Sequence, residues 1–392
     1  MKALQIKRSP MKFGLARLTS PVLPAKVSAL DYRSVDDPDH PGDGWQRFNV
    51  HLAGICGSDL SLVEGHASAY FEDYVSFPFV PGHEVVGSTD DGTRYVLNPV
   101  LNPAARGVPH APADDYAHYA TGNLEPGIQT GFCCSTGGGW APWLWAHESQ
   151  LHPIPDDMPD ERAVLVEPLA GGIHAALLAW PHVERAIERG EPAVVVVLGA
   201  GTMGLAAIAG LRRYLPAHMQ IIAGARYPHQ IALAKAIGAN EVVQAAKLDR
   251  AVRRATACHL IGDGSSAYLS SGAHVTIDAV GTSESITDAL RITRPRGRVV
   301  LLGMPADVKL DLTGLWHRET EIKGAYTYGT ETLPDGSTAT TFDLAVDTAN
   351  HYQAERLLSA TYRLDDHVDA LAHAAAAGRR GAVKIAFDLR KQ

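Results

Sequence analysis

The chain is poor in cysteine, with 4 among its 392 residues. So few thiols cannot build the disulfide framework of a small secreted domain, and they favour a reducing compartment. Residues 1–10 also lack the apolar core that a secretory signal requires. We therefore expect a cytoplasmic protein whose thiols are available as metal ligands or as small apolar side chains.

A basic excess is absent as well. Lysine and arginine number 35 against 43 aspartates and glutamates, for a formal net charge of −8. Binding to nucleic acid or to an anionic membrane through charge requires the opposite balance, so we expect neither partner. One uncharged stretch, residues 193–211, approaches the length of a membrane span. The glycines within it favour a strand, a turn and a helix instead.

Repeats and low-complexity tracts are also missing, and a chain of 392 residues is long enough for two domains. The first part, up to about residue 165, contains short β-prone runs among prolines and glycines and predicts a mostly β domain. Beyond about residue 175, strand and helix patterns alternate, which predicts a doubly wound parallel sheet. The predicted strands are 194–198, 220–225, 241–243, 274–280, 298–302 and 321–325, with helices such as 231–237 and 284–292 between them and a last strand at 383–387.

Cys56, His83 and Glu167 form the most informative set of side chains. They lie in the segments Gly-Ile-Cys-Gly-Ser-Asp, Pro-Gly-His-Glu and Val-Glu-Pro-Leu. A thiolate, an imidazole and a carboxylate suit tetrahedral Zn²⁺, and three protein ligands leave a fourth position for water or substrate. The set therefore predicts a catalytic zinc.

A dinucleotide motif follows the predicted strand 194–198. It reads Gly199-Ala-Gly201-Thr202-Met203-Gly204 and leads into an Ala- and Leu-rich helical stretch. At such a turn the backbone approaches the pyrophosphate of a dinucleotide, and the helix N-terminus binds it. We expect these residues to contact the cofactor. A zinc site upstream of a dinucleotide fold indicates hydride transfer between an alcohol and a nicotinamide.

An acidic residue is missing where a NAD-preferring site requires one. Such sites place Asp or Glu about twenty residues after the glycine turn, to accept hydrogen bonds from the ribose 2′-OH. Residues 192–240 contain no acidic side chain, and the expected position is Ala225, followed by Arg226. A guanidinium can pair with a 2′-phosphate, so we predict that NADP(H) is favoured over NAD(H). The alternative is that Arg226 is a solvated loop residue.

With these motifs in this order, the chain resembles the zinc-dependent medium-chain alcohol and polyol dehydrogenases over nearly its whole length. The segment Val-Glu-Pro-Leu-Ala-Gly-Gly-Ile-His-Ala at 166–175 is similar to the sorbitol and threonine dehydrogenases, in which the glutamate replaces a second cysteine ligand. The resemblance implies an α/β fold. A GroES-like, mostly β catalytic domain would span 1–165 and be completed by 329–392. A Rossmann domain with a doubly wound parallel six-stranded sheet would span 166–328.

The resemblance also implies further site residues and an assembly. Asp59 would accept the free ring N–H of His83, and Glu84 would lie close to the zinc as a weaker candidate for a permanent ligand. The zinc would act as a Lewis acid while Ser58 relays the proton of a bound alcohol. The alternative to these roles is that Asp59 is a surface aspartate and that Ser58 is a turn serine bonded to its own backbone. Val280 and Gly303 would contact the cofactor, and the protein would be a homodimer or homotetramer.

The proton relay departs from the family pattern. Many relatives carry a histidine at the position of Ser61, where it passes the proton to solvent. His51 or His66 could take its place, and the alternative for each is a solvated or core histidine.

The structural zinc lobe of some relatives is a second departure. Residues 97–132 contain no cysteine, and the adjacent Cys133 and Cys134 lack the spacing of a tetrahedral Cys₄ site. We therefore predict one zinc per subunit, with loop 98–136 held by packing or by a neighbouring subunit. Cys133, Cys134 and Cys258 are expected to be small buried apolar residues.

The substrate is expected to be a small alcohol or carbonyl compound, and the resemblance favours a polyol, a sugar or an amino alcohol by fold analogy. Five aromatic residues could line a pocket or belong to the core: Tyr70, Phe71, Trp140, Trp143 and Trp145. Three other functions stay open at this point. They are a lyase or epimerase that oxidises its substrate transiently, a non-catalytic dinucleotide-binding protein, and a zinc-free quinone reductase.

Overall fold

The computed structural model describes residues 1–20, 24–108, 122–264 and 267–391. Two compact units make up the chain. The first comprises Met1–Glu167 and Ala349–Gln392, and the second comprises Pro168–Thr348.

Strands occur in both units. In chain order they are β1 (Lys2–Ile6), β2 (Leu30–Ser34), β3 (Trp45–Gly54), β4 (Val85–Thr89), β5 (Arg94–Leu97), β6 (Trp143–His147), β7 (Leu151–Pro153), β8 (Val194–Leu198), β9 (Gln220–Gly224), β10 (Glu241–Val243), β11 (Leu260–Ile261), β12 (Tyr268–Leu269), β13 (Ala273–Asp278), β14 (Thr293–Leu301), β15 (Glu321–Gly324), β16 (Thr330–Thr332), β17 (Thr338–Thr340), β18 (Leu358–Tyr362) and β19 (Lys384–Asp388).

The α-helices are concentrated in the second unit. In chain order they are α1 (Pro10–Thr19), α2 (Pro24–Val27), α3 (Gly57–Val63), α4 (Asp160–Ala163), α5 (Val166–Leu177), α6 (Trp180–Glu188), α7 (Thr202–Tyr214), α8 (Pro228–Ile237), α9 (Leu248–Thr256), α10 (Ser283–Ile292), α11 (Thr313–Arg318), α12 (Thr341–Tyr352) and α13 (His367–Ala375).

A seven-stranded sheet forms the core of the first unit. Its order is β18-β19-β3-β4-β5-β7, and β6 pairs with β3. All of its pairs except β18 with β19 are antiparallel. Phe48, Val50 and Leu52 alternate along β3 and are buried, as expected of a strand with one face on a core. Trp140 and Phe387 pack edge to face in the same core, with ring centroids 5.2 Å apart.

A six-stranded parallel sheet forms the core of the second unit. Its order is β10-β9-β8-β13-β14-β15. Every residue of β8 is buried, which is the continuous apolar pattern of a parallel strand covered on both faces. The sheet confirms the predicted doubly wound fold. The uncharged stretch 193–211 is β8, a turn and the first part of α7, as predicted.

Several element boundaries differ from the prediction. The strand predicted at 298–302 begins earlier, at Thr293. Pro295 and Gly297 lie inside it, and the prediction started after them because these residues usually end a strand. Helix α8 begins at Pro228 rather than 231, since proline suits the first position of a helix. Helix α1 was not predicted, because Pro10 and Gly14 obscure its pattern.

Within the described residues, one helical stretch is long and apolar enough to cross a membrane, Asp160–Glu188. In its most apolar window 72% of the residues are buried inside the structure. Core helices pass the same length and composition test, so the stretch is weak evidence for a membrane span.

Candidate metal centre and dinucleotide site

Strand pairing in the first unit gathers the predicted metal ligands. The antiparallel register places Ala53, near the end of β3, opposite Val85, the first residue of β4. Cys56 lies two residues after the end of β3, and His83 and Glu84 are the two residues before β4. The residues that lie far apart in sequence therefore meet at one edge of the sheet.

Among the described residues, Cys56, His83 and Glu84 form a group whose ligand atoms are close enough together to hold a metal ion. One ligand atom from each, a sulfur, a ring nitrogen and a carboxylate oxygen, lies within 4.8 Å of the other two. His83 and Glu84 are buried and Cys56 is half-buried. Burial strengthens the attraction of these groups for a cation, because little water is present to compete.

Asp59 is placed to orient His83. Its Oδ2 accepts the backbone N–H of Cys56 at 2.9 Å, and its Oδ1 lies 3.6 Å from Nδ1 of His83. Both Oδ1 and Nδ1 are buried and have no hydrogen-bond partner. Burial alone would lower the pKa of His83, but the Asp59 carboxylate and then Cys56 outweigh it and raise that pKa well above its ordinary value. The alternative of a surface aspartate does not hold, since Asp59 is fully buried.

Glu84 has a second partner that sequence reasoning missed, Lys384. The Nζ of Lys384 lies 2.6 Å from both carboxylate oxygens of Glu84, and both side chains are buried. Burial works to lower the pKa of Lys384, but Glu84 first and then Cys56 raise it above its ordinary value. A β-carbon on Gly54 would stand 1.9 Å from Oε2 of Glu84, so only glycine leaves room for this carboxylate.

Glu167 lies at the second position of α5 and is half-buried. Its carboxylate is not among the three ligand atoms that approach within 4.8 Å of one another. It is near enough to contribute to the raised pKa of Lys384. The structure therefore brings Cys56 and His83 together with Glu84, while Glu167 stands beside this group.

Ser58 is the second residue of α3 and is half-buried, two positions after Cys56. The two histidines considered as relay residues are placed differently. His51 is held by Asp160 through Nδ1 and by Ser88 through Nε2, both at 3.1 Å, and His66 is exposed.

The residues present fit a zinc ion. Cys56, Glu84, Glu167 and Asp59 supply a thiol and three carboxylates, whereas Lys384 is the cation placed among them. A divalent cation would balance this excess of negative groups. The Nδ1 atom of His83, which has no hydrogen-bond partner, faces Asp59. This arrangement leaves Nε2 as the nitrogen available to a metal.

The lobe at 98–136 contains a buried arginine in its described part. Arg106 is fully buried, and its guanidinium donates to the carbonyls of Leu101 and Gly127. Cys133 packs in the small core beside it, and burial raises the pKa of that thiol. Residues 109–121 of this loop lie outside the described residues. All four cysteines of the chain are free, with Cys133 and Cys258 buried and Cys134 half-buried.

The aromatic residues considered as pocket walls divide into two groups. Trp140, Trp143 and Trp145 belong to packed regions, and the indole N–H of Trp145 donates to the carbonyl of Pro38 at 2.9 Å. Tyr70 is 72% exposed, and its ring lies edge to face with that of Phe71.

Three predicted cofactor residues meet at the carboxyl ends of adjacent strands in the second unit. Gly199 follows β8, Val280 follows β13 and Gly303 follows β14. A β-carbon on Gly199 would lie 2.7 Å from Cγ2 of Val280, and one on Gly303 would lie 2.5 Å from the Val280 carbonyl carbon. Ligands of parallel α/β sheets bind at this edge, where the order of the strands reverses.

The glycine turn leaves room for a pyrophosphate. Gly199 has φ +89°, and a β-carbon on Gly204 would lie 1.9 Å from the Gly199 carbonyl oxygen. At Gly201 an added β-carbon would meet no atom within 4 Å, so the turn faces open space at the N-terminus of α7. Thr202 and Met203 begin that helix. The residues present therefore fit a dinucleotide.

Arg226 follows β9 at the same edge of the sheet. It is exposed, its backbone N–H donates to Oε1 of Gln230 at 3.3 Å, and its guanidinium makes no ion pair with the described residues. Ala225 is buried where a NAD site carries its carboxylate.

Two family descriptions match the chain. The Alcohol dehydrogenase GroES-like domain matches residues 42–156, and the Zinc-binding dehydrogenase family matches residues 202–341.

Curated relatives and solved structures are similar to the chain over most of its length. Sorbitol dehydrogenase of Rattus norvegicus is 29% identical over 293 residues, which are 72% of this chain and 74% of the relative. Erythritol/L-threitol dehydrogenase of Mycolicibacterium smegmatis is 28% identical over 299 residues, covering 73% of this chain and 76% of the relative. Galactitol-1-phosphate dehydrogenase from Escherichia coli has the same fold, with a TM-score of 0.67, 18% identity and coverage of 99% of this chain and 100% of that one.

A GroES-like domain joined to a zinc-binding dehydrogenase domain with a parallel sheet defines a two-domain oxidoreductase. The chain belongs to the zinc-dependent medium-chain dehydrogenase family. It is an enzyme of the alcohol dehydrogenase type that uses zinc and a nicotinamide cofactor, which confirms the resemblance and the enzyme class predicted from the sequence.

Proposed function

We propose that this enzyme interconverts a polyol or sugar alcohol and its carbonyl compound with NADP(H), using one zinc per subunit. The buried group of Cys56, His83 and Glu84 is the observation that carries the proposal. The names of the relatives, sorbitol dehydrogenase and erythritol/L-threitol dehydrogenase, support a polyol substrate.

Cys56, His83 and Glu167 are the proposed zinc ligands. Glu84 is the alternative third ligand, but both of its oxygens already face Lys384 at 2.6 Å. A carboxylate held in this way must give up part of an ion pair before it can bind a metal. Zinc, when bound, supplies Lewis-acid chemistry that makes a substrate hydroxyl more acidic.

Ser58 is the proposed proton carrier. During oxidation its hydroxyl takes the proton of the substrate alcohol while passing its own proton on to water, and during reduction both transfers run in reverse. Ser58 and Cys56 share the start of α3, so the backbone fixes the distance between the proton carrier and the metal ligand. Asp59 holds His83 in the tautomer that keeps Nε2 unprotonated.

Arg226 is the proposed cofactor-selecting residue. A bound nicotinamide cofactor would supply the hydride chemistry, and selection between the two cofactors would occur at the adenosine ribose that carries the 2′ group. No carboxylate stands at Ala225 to bind a 2′-OH, and within the described part of the chain the guanidinium of Arg226 makes no ion pair that a phosphate would have to displace.

Elemental analysis combined with absorbance at the reduced-nicotinamide band tests the proposal on a panel of polyols and ketoses. We expect one zinc per chain and higher kcat/KM with NADP(H) than with NAD(H). Cys134→Ala, which removes a thiol outside the group, is the matched control for Cys56→Ala. Loss of zinc from Cys56→Ala and its retention in Cys134→Ala support the site. Equal zinc in both variants overturns it.

A further inference from the structure

A small basic cavity lies in the second unit, at the amino ends of β8 and β14. Its volume is about 130 Å³. Four arginines line it, Arg185, Arg189, Arg294 and Arg296, against a single carboxylate, that of Glu191. Such a concentration of guanidinium groups around one cavity produces a positive potential that attracts anions.

Arg185 and Arg189 carry the unneutralised charge. Arg185 lies in the last turn of α6, Arg189 is the residue that caps this helix, and both are exposed. Neither guanidinium forms an ion pair or a hydrogen bond with the described residues. Their position suits the helix dipole, but like charges four residues apart on a helix repel each other. Both therefore have donors available for a ligand.

Hydrogen bonds and an ion pair hold the opposite wall of the cavity. The backbone N–H of Val194 donates to Nδ1 of His274 at 3.1 Å, so Nε2 carries the proton and donates to Glu191 at 3.1 Å. Arg294 pairs with the same carboxylate at 2.5 Å. Glu191 is thus engaged by Arg294 and by the neutral ring of His274, which leaves the arginines of α6 without an acidic partner among the described residues.

Arg296 forms the rim of the cavity. It adopts φ +59°, a left-handed conformation that is uncommon outside glycine. Its side chain is 79% exposed and pairs with Glu319, which is 63% exposed. An ion pair in solvent contributes little, so this guanidinium can exchange its partner at low cost.

We propose that this cavity binds a phosphate dianion, either inorganic phosphate or the phosphoryl group of a small phosphomonoester. Planar guanidinium groups match phosphate oxygens in pairs, which makes arginine the usual residue for such anions. A volume of about 130 Å³ holds one phosphoryl group but is well below the roughly 300 Å³ or more of a pocket that encloses a larger ligand.

The cavity is separate from the dinucleotide site. The glycine turn follows the carboxyl end of β8, while His274 and Val194 mark the amino ends of β13 and β8. The five residues of β8 span about 16 Å at a rise of about 3.3 Å per residue. A phosphate in the cavity therefore cannot be part of a cofactor bound at the turn.

Calorimetric titration with inorganic phosphate tests the proposal on the full chain, at constant ionic strength and with saturating NADP⁺ so that the nucleotide site is filled. We expect saturable binding to the wild type, accompanied by a rise in Tm. The double variant Arg185→Gln/Arg189→Gln should bind at least tenfold more weakly. Arg250→Gln, which removes an exposed arginine of α9 that does not line the cavity, is the matched control and should bind as the wild type does.

Glu191→Gln gives a second, opposite expectation. This change removes the carboxylate that competes for Arg294, so phosphate should bind several-fold more tightly. No saturable binding to the wild type, or equal binding by the wild type and the double variant, overturns the proposal. Tighter binding of glycerol 3-phosphate than of inorganic phosphate, with the same dependence on Arg185 and Arg189, assigns the cavity to a phosphomonoester. The reverse order assigns it to free phosphate.

Discussion

At the residue scale, the pair of Lys384 and Glu84 determines the electrostatics of the metal centre. Lys384 opens β19, which pairs with β3 so that Ala386 lies opposite Gly54. This register places its ammonium beside the carboxylate that precedes β4. The ion pair fixes the position of the Glu84 carboxylate. Cys56 and Glu167 also lie near enough to Lys384 to raise its pKa.

Lys384→Met should destabilise the protein by about 3 kcal/mol, because it leaves the Glu84 carboxylate buried without a partner. The double variant Lys384→Met/Glu84→Gln should recover part of this loss, since no charge is then stranded. Urea unfolding of the wild type, both single variants and the double variant measures the coupling. Additive losses would contradict a direct pairing of the two side chains.

The two candidate third ligands can be separated by metal affinity. If Glu167 binds zinc and Glu84 is held by Lys384, Glu167→Gln should lower zinc affinity at least tenfold more than Glu84→Gln does. Competition with a zinc chelator measures both affinities, and circular dichroism shows whether each variant is folded. A larger loss in Glu84→Gln would assign the third position to Glu84.

Arg226→Ala should raise KM for NADP at least tenfold and change KM for NAD little, because the guanidinium meets only the 2′-phosphate. Steady-state kinetics with both cofactors and one polyol gives the ratio. Arg250→Ala is the control for a general loss of positive charge. An equal effect on both cofactors would exclude Arg226 as the selecting residue.

Sequence reasoning found the residues whose chemistry is unusual for a core. A cysteine, a histidine and a glutamate in short characteristic strings indicate a metal, so Cys56 and His83 were predictable. Lys384 carried a weaker signal, a charged residue at the start of an apolar run. Its pairing with Glu84 could not be predicted, since it depends on the register of β19 against β3.

At the element scale, the lobe at 98–136 is held in its described part by polar side chains inside the fold. The amide of Gln150 donates to Oγ1 of Thr130 and to the Asn98 carbonyl, both at 3.1 Å. The buried guanidinium of Arg106 donates hydrogen bonds to the carbonyls of both Leu101 and Gly127. These bonds tie the two ends of the loop to each other and to the sheet.

Arg106→Met should destabilise the protein by about 3 kcal/mol, because two buried carbonyls lose a charged donor. Arg17→Met, a change at an exposed position of α1, should cost little. Urea unfolding compares the two variants. Equal stability of both would show that packing alone holds the lobe.

Helix α4 is fixed through Asp160, which predicts a pH dependence of stability. The carboxylate binds Arg94 at 2.5 Å and His51 and Arg390 at 3.1 Å. Burial works to raise the pKa of Asp160, but His51 and then Arg94 outweigh it and lower the pKa from 3.8 to about 2. A lowered pKa in the folded state stabilises the protein above pH 3.8, and this contribution is lost as the pH falls toward 2.

Asp160→Asn should therefore be about 2 kcal/mol less stable than the wild type at neutral pH. The difference should shrink below about pH 4, where the wild type itself loses the contribution. Urea unfolding as a function of pH measures it, with Asp156→Asn as the exposed control from the preceding turn. A stability difference between the wild type and Asp160→Asn that does not change with pH would contradict the role of Asp160 as an ionised partner of the arginines.

The elements were more predictable in type than in extent. Strand β8 and its glycine turn were found because a run of valines before a glycine turn occurs in few other structures. Strand β14 was predicted short, because Pro295 and Gly297 within it usually end a strand. Tertiary pairing with β13 overrides that local preference.

At the scale of the whole molecule, each of the two units has its own core and its own sheet. The first unit contains the thiol, imidazole and carboxylate groups. The second contains the glycine turn and Arg226. The order of these features along the sequence predicted the family, since each motif alone is short while the combination is specific.

A catalytic zinc at Cys56 and His83 is the basis of the proposed reaction. The decisive measurement is activity after removal of metal by a chelator and stepwise return of Zn²⁺, followed by NADP-linked turnover of a polyol. We expect activity to disappear and to return in full at one equivalent of zinc in the wild type and in Cys134→Ala, but not to return in Cys56→Ala. Full activity of the metal-depleted protein would contradict it.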